Sequence, residues 1–198
     1  MFLVGSWNIW GLNTPKKQKT VHSWTQTHNL DIIGLLETKI AAANLDSITP
    51  KIAPSHWQYF SNTSSSPTCR ILVGWNPHKL HLIPLHFSSQ WLTCEVNQPN
   101  QSIPTRITFV YGQNTPTERQ ALWEYIAQES GTNGCTPWLV MGDFNAIMQA
   151  SDRYGGDTQW PCYQDDFSTC INHSELIQVP YTGIKYSWNN GQHGANLI

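Results

Sequence analysis

The sequence lacks an excess of basic charge. Eleven lysines and arginines stand against thirteen aspartates and glutamates, a formal net charge of −2 over 198 residues. A chain that holds nucleic acid by electrostatics alone is strongly basic, so that mode is weakened here, although a bound cation or a local basic patch could still serve. The one basic cluster, Lys16, Lys17 and Lys19, reads as a solvated helix face. Cysteine is sparse, odd in number and without a Cys-x-x-Cys pair (Cys69, Cys94, Cys135, Cys162, Cys170), which argues against a disulfide framework and a structural zinc. His78, His81 and His86 lie in an extended, leucine-alternating stretch with no evident fourth ligand. No apolar run approaches transmembrane length, and Phe2–Val4 is too short for a signal core. The chain reads as intracellular and soluble, with no membrane partner and no protein partner implied.

Other features are plentiful. A hydrophobic content of 39% can fill one core, so a single domain over residues 1–198 is expected. Ten tryptophans are dispersed along the chain and suit core and loop-anchoring roles; Trp10 and Trp188 are kept as candidate contacts near a site. Thr14-Pro15 starts a helix over Lys16–His28 with Val21 and Trp24 on one face. Asp31–Leu36 reads as a strand buried on both faces, Ala41–Ile52 as weakly helical, and Ser61–Pro67 as a polar hairpin loop. Ile71–Trp75, Leu80–Leu85, Trp91–Val96 and Ile107–Val110 read as a meander. Thr115-Pro116-Thr117-Glu118 forms a capping box for a helix that buries Leu122, Tyr125 and Ile126 and stops at Gly131. A further helix is expected over Tyr163–Asn172, and a strand from Tyr186 to Trp188.

The most informative stretch is Trp138-Leu139-Val140-Met141-Gly142-Asp143-Phe144-Asn145. Four apolar residues read as a strand, Gly142 permits a turn, and Asp143 and Asn145 follow just past the strand end. In extended chain, residues two apart point the same way, and a carboxylate with an amide suits a hard cation or a water beside a phosphate. Taken alone, Gly-Asp-Phe-Asn fits an Asx turn equally well. Three other apolar runs end similarly: Phe2–Trp7 in Asn8, Asp31–Leu36 in Glu37, and Ile107–Val110 in Tyr111 with Asn114 close behind. Functional side chains gather beyond strand ends in sheets covered by helices, so four such ends could converge.

In order, Trp7-Asn8-Ile9-Trp10-Gly11-Leu12, Leu36-Glu37-Thr38-Lys39, Val110-Tyr111-Gly112-Gln113-Asn114 and Gly142-Asp143-Phe144-Asn145 resemble the motifs of the endonuclease/exonuclease/phosphatase family. Within it, the Asp152–Gly156 loop and Val179–Trp188 look most like plant LINE-type (non-LTR) retrotransposon endonuclease domains. The resemblance covers essentially the whole chain. It implies an α/β fold, a four-layer α/β sandwich of two mainly antiparallel sheets (DNase I-like). It also implies phosphodiester hydrolysis with Mg²⁺ or Mn²⁺, DNA being the substrate. Residue by residue, Glu37 would bind the metal with Asn8 in support. Asp143 would orient and deprotonate water, with Asn145 fixing that water or a phosphate oxygen. Tyr111 and Asn114 would hydrogen-bond the phosphate.

The family continues into a Leu-Asp-Arg-type segment and a Ser-Asp-His tripeptide. This sequence reaches Asn196-Leu197-Ile198 before either, and His173 and His193 stand in other contexts. The resemblance therefore implies a fold lacking its last strands and a slow enzyme, since losing a general acid–base group costs roughly a hundredfold or more in rate. Two alternatives accompany the DNA-nicking reading: a non-catalytic fragment or relic, and a phosphatase or RNase of another branch.

Overall fold

The structure is a computed structural model that describes residues 1–65, 67–99, 101–155, 165–183 and 186. The chain forms two compact units, Met1–Gly112 with Cys135–Phe144, and Gln113–Gly134 with Asn145–Ile198. In the first unit, β1 (Val4–Asn8), β2 (Ile32–Ala41), β3 (Gln58–Ser61) and β4 (Thr68–Trp75) form a sheet in the order β1-β2-β4-β3. A second sheet, in the order β5-β6-β7-β8, comprises β5 (His81–Phe87), β6 (Trp91–Asn97), β7 (Thr105–Tyr111) and β8 (Trp138–Asp143). Both sheets are mainly antiparallel, each with one parallel pair: β1 with β2, and β7 with β8. The fold is α/β and DNase I-like.

Period-two alternation explains how β2 becomes buried on both faces. Ile32 and Leu36 enter a core shared with Val73 of β4 and with Leu92, Ile107 and Phe109 of the second sheet. Ile33 and Leu35 face the other way, into a cluster with Leu12, Ile52 and Val21 of helix α1 (Pro15–Thr27). Side chains of this size contribute roughly 1.5–3 kcal/mol each when fully buried. Gly34 faces the inter-sheet core between Ile32 and Leu36. A Cβ there would lie 2.0 Å from the Phe109 ring, so β2 needs a glycine where β7 inserts its largest fully buried side chain.

Several expectations are corrected. β2 does not stop at Leu36; its pairing with β4 shifts between Leu36 and Ile40 and resumes to Ala41. The expected Ala41–Ile52 helix is three short pieces, a 3₁₀ turn at Ala42–Asn44, α2 (Leu45–Ile48) and a 3₁₀ turn at Thr49–Lys51. Pro50 lacks an N–H and clashes with a preceding helical turn, so it cannot extend α2. The expected meander is split, because β4 belongs to one sheet and β5 to β7 to the other. Asp31 pins that crossover: its main-chain carbonyl accepts from Asn76 N, and its buried carboxylate accepts from Lys79 Nζ at 2.6 Å and Leu3 N at 3.0 Å. β3 pairs with β4 as the other arm of the expected hairpin loop.

In the second unit, helix α3 (Pro116–Thr132) begins at Thr115, whose hydroxyl oxygen accepts from Glu118 N. The helix passes through Gly131 instead of stopping there. A glycine in a last turn costs only about 1 kcal/mol, and the Thr132 hydroxyl and Asn133 N donate to the final carbonyls. Tyr125 is only half-buried; Trp123 is buried in its place, stacked on Phe167 of helix α4 (Asp165–His173) at 5.0 Å between ring centroids. Tyr163, Gly156 and the expected strand at Ser187 and Trp188 lie outside the described residues. No helix among the described residues is long and apolar enough to cross a membrane.

Gly34→Ala is expected to lower stability by about 1–3 kcal/mol or more through overpacking, read as a drop in the urea midpoint. In a Phe109→Leu background the same substitution should be less harmful than additivity requires, because the two sites share one space. Equal losses in both backgrounds would mean that the ring does not set the sheet approach.

Candidate active site

Strand β1 ends at Asn8, in register with Leu36 of the parallel strand β2. Its amide is used at both ends: Nδ2 donates to Asp143 Oδ2 at 2.8 Å, and Oδ1 accepts from Trp10 N at 3.1 Å. The first bond joins the two sheets, since Asp143 is the last residue of β8 and pairs in register with Tyr111 of β7. Asp143 thus closes the ladder rather than following it. Gly142 makes this pairing possible. Its φ of +139° suits glycine, and a Cβ there would lie 2.1 Å from Val110 O.

Glu37 sits in the irregular stretch of β2, not beyond its end. Glu37 and Lys39 both have left-handed backbone, at φ 53° and 55°, and ladder pairing with β4 resumes at Ile40. The irregularity re-aims the carboxylate, as β-bulges do. Glu37 O accepts from Gly11 N at 2.7 Å, and the buried Thr38 hydroxyl donates to Cys69 O at 2.6 Å. The Glu37 carboxylate pairs with Lys39 Nζ at 2.9 Å and accepts from the Tyr111 phenol, whose oxygen accepts from Arg70. The Arg70 guanidinium also stands 4.6 Å over the Tyr111 ring centroid. Burial, followed by the Glu37 charge, pushes the Tyr111 phenol above its ordinary range, with Arg70 opposing the shift.

Four of the six residues singled out from the sequence, Asn8, Glu37, Tyr111 and Asp143, are therefore linked by side-chain hydrogen bonds or strand register within one unit. Asn114 and Asn145 belong to the second unit, where the Asn114 carbonyl accepts from Arg119 Nη1 at 2.9 Å. Asn145 has φ 48°, so the chain after Asp143 is not extended and the same-direction argument for that pair fails. Arg70 was missed as a site residue. Lys17 was misread as solvated: its Nζ donates to Ile9 O and Trp10 O, holding the turn after β1. Trp10, by contrast, stands exposed beside Asn8.

The Tyr111 phenol gives a pH test. A raised phenol pKa, caused first by burial and then by the Glu37 charge, means that the stability linked to the neutral phenol is complete below the unfolded value of about 10 and is lost as pH rises through the folded value. Subtracting the 295 nm alkaline titration of Tyr111→Phe from that of the protein should leave a component that ionises only above the ordinary tyrosine range. Arg70→Met should move this component further up. A downward move would refute the Arg70–Tyr111 assignment.

The Endonuclease/Exonuclease/phosphatase family model matches residues 5–194. No curated protein sequence matches the chain. Among solved structures, the chain is similar to the endonuclease domain of TRAS1, a telomere-specific non-LTR retrotransposon, at 13% identity and TM-score 0.63 over 88% of this chain and 71% of that one. It is also similar to the AP endonuclease LMAP from Leishmania major, at 16% identity and TM-score 0.66 over 85% of this chain and 65% of that one. A third is the mannosyl-6-phosphatase Bt3783 of Bacteroides thetaiotaomicron, at 13% identity and TM-score 0.59 over 85% of this chain and 70% of that one. At these identities the shared property is the fold. The chain spans about two thirds of the lengths of these structures, and its sequence, matched almost end to end, belongs to the endonuclease/exonuclease/phosphatase family.

Proposed function

We propose that the chain hydrolyses phosphodiesters with the help of a divalent cation, and that its substrate is DNA, nicked as by non-LTR retrotransposon endonucleases. The observation that carries this reading is the Asn8–Asp143 hydrogen bond at 2.8 Å. It fixes an acceptor-only carboxylate where two sheets meet, beside the Glu37–Tyr111–Arg70 hydrogen bonds. Retrotransposon and AP endonucleases among the fold's relatives favour DNA over the phosphomonoesters of its phosphatase members.

The donor set suits a hard cation. Glu37 and Asn8 offer oxygen ligands, and magnesium takes one or two protein carboxylates and completes its shell with water and phosphate oxygens. Lys39 holds one Glu37 oxygen but is half-exposed, at 52% of its side-chain surface, and can withdraw from it. When bound, Mg²⁺ or Mn²⁺ would neutralise phosphate charge. The chain's own groups carry the remaining work. Asp143, oriented by Asn8, is the general base that aligns a water and takes its proton. Tyr111, kept protonated, turns its one O–H from Glu37 to the phosphate, and Arg70 offsets developing negative charge.

The test is relaxation of supercoiled plasmid in Mg²⁺ or Mn²⁺, with RNA and a sugar phosphomonoester as comparison substrates. Nicking is expected to require the cation, to stop with EDTA, and to fall about a hundredfold or more in Asp143→Ala. Glu37→Gln should raise the cation concentration needed. A folded protein that leaves all three substrates intact would favour the non-catalytic relic. Preferential release of phosphate from the monoester would move the assignment to the phosphatases.

A further inference from the structure

We propose that Trp10 is a stacking platform for an unpaired nucleobase next to the scissile phosphate, with Lys17 and Lys39 as its flanking cations. This rests on the phosphodiesterase reading and names the substrate feature that the site selects.

Trp10 is 70% exposed, although an indole is a large apolar group that folding normally buries. It is not loosely placed. Its backbone lies in the left-handed region at φ 48°, which disfavours a bulky L-residue by roughly 1–2 kcal/mol. The turn is clamped from several sides: Trp10 N donates to Asn8 Oδ1 at 3.1 Å, Trp10 O accepts from Lys17 Nζ, and Gly11 N donates to Glu37 O at 2.7 Å. The fold thus stabilises a strained turn whose result is an aromatic ring facing solvent. Strain retained in this way is a mark of function.

The ring's neighbours define the ligand. Lys39 Nζ lies 5.2 Å and Lys17 Nζ 5.8 Å from the ring centroid. An exposed indole with two ammonium groups over it matches a base with its phosphates better than a neutral peptide or a hydrocarbon chain, the lysines moving to the phosphates as the base takes the ring face. Two residues span at most about 7 Å, so the ring stands within about one nucleotide of the phosphate that Asn8 and Asp143 would serve. In a duplex, both faces of a base are covered by its neighbours. Only a base out of the stack, at a gap, a mismatch or a single-stranded stretch, can lie against the indole.

The experiment measures binding of single-stranded oligonucleotides carrying 2-aminopurine to the full chain in EDTA, by anisotropy and by quenching of the 2-aminopurine. The protein is expected to bind and quench. Trp10→Ala should bind about tenfold more weakly without quenching, Trp10→Phe should remain within about threefold, and a fully paired duplex should show little quenching. Equal binding and quenching by Trp10→Ala, or no binding by the unaltered protein, overturns the proposal. Turnover of bis(p-nitrophenyl) phosphate by the unaltered protein with Mg²⁺ or Mn²⁺ tests the phosphodiesterase reading separately. Turnover with an unaffected Trp10→Ala defeats the platform alone. Trp10-dependent binding without turnover defeats the catalytic reading alone.

Discussion

Gly34 of β2 meets the Phe109 ring of β7 between the two sheets, and the geometry of the site depends on that contact. Face-to-face sheets usually lie about 10 Å apart, with side chains interdigitating between them. Here one strand contributes no side chain at the point where the facing strand contributes a phenyl ring, and the Gly34 Cβ position lies within the ring's own volume. β2 and β7 are locked there, and each has a parallel neighbour, β1 and β8. Two parallel pairs held face to face bring Asn8 and Asp143 within 2.8 Å of each other. A hydrogen bond across a sheet interface tolerates only a few tenths of an ångström of error. The inter-sheet core therefore determines whether the polar side chains at the strand ends form a site at all.

Around that seam the backbone departs from regular structure. Trp10, Glu37 and Lys39 adopt left-handed conformations at φ 48°, 53° and 55°, and none of them is glycine. Gly11 N and Leu12 N donate to Glu37 O and Thr38 O, so the turn after β1 and the irregular stretch of β2 support one another. Thr38, between the two strained residues, is fully buried and anchored to Cys69 O. The arrangement resembles a clasp. The turn after β1 supplies the donors and the irregular stretch of β2 the acceptors, and the buried threonine ties both to β4. Strain spread over interlocked turns persists because neither segment can relax without breaking the other's hydrogen bonds.

How much of this is legible in the sequence depends on how local its cause is. The strands' existence is local: apolar runs such as Ile32–Leu36 and Trp138–Met141 carry it, and Asn8, Tyr111 and Asp143 stand at or beside the ends that those runs predict. The Glu37 irregularity is not local. It exists because β4 pairs with both halves of β2 in shifted register, and nothing in Leu-Glu-Thr-Lys marks the shift. Arg70 is invisible for the same reason. In its own segment it is a half-buried strand residue, and only the packing of two sheets puts it over a tyrosine 41 positions away. Lys17 reads as one of three lysines on a helix, but the turn after β1 offers it two carbonyls. The split between β4 and β5 likewise depends on Asp31, whose carboxylate captures Lys79 from 48 positions away.

A net charge of −2 gives no bulk attraction for a polyanion, so the positions of the individual charges decide. Lys17, Lys39 and Arg70 all lie among the site residues, and each is already engaged with a carbonyl, a carboxylate or a phenol. An engaged cation costs little to hold in place. It still presents positive potential within a Debye length, about 10 Å at moderate ionic strength. The acidic pair would otherwise repel a phosphate, and these three groups offset Glu37 and Asp143 locally without making the whole surface basic. On the proposed reading, discrimination would depend on what fits among them rather than on bulk attraction, because a chain with no net positive charge gains little from binding nucleic acid in the wrong register.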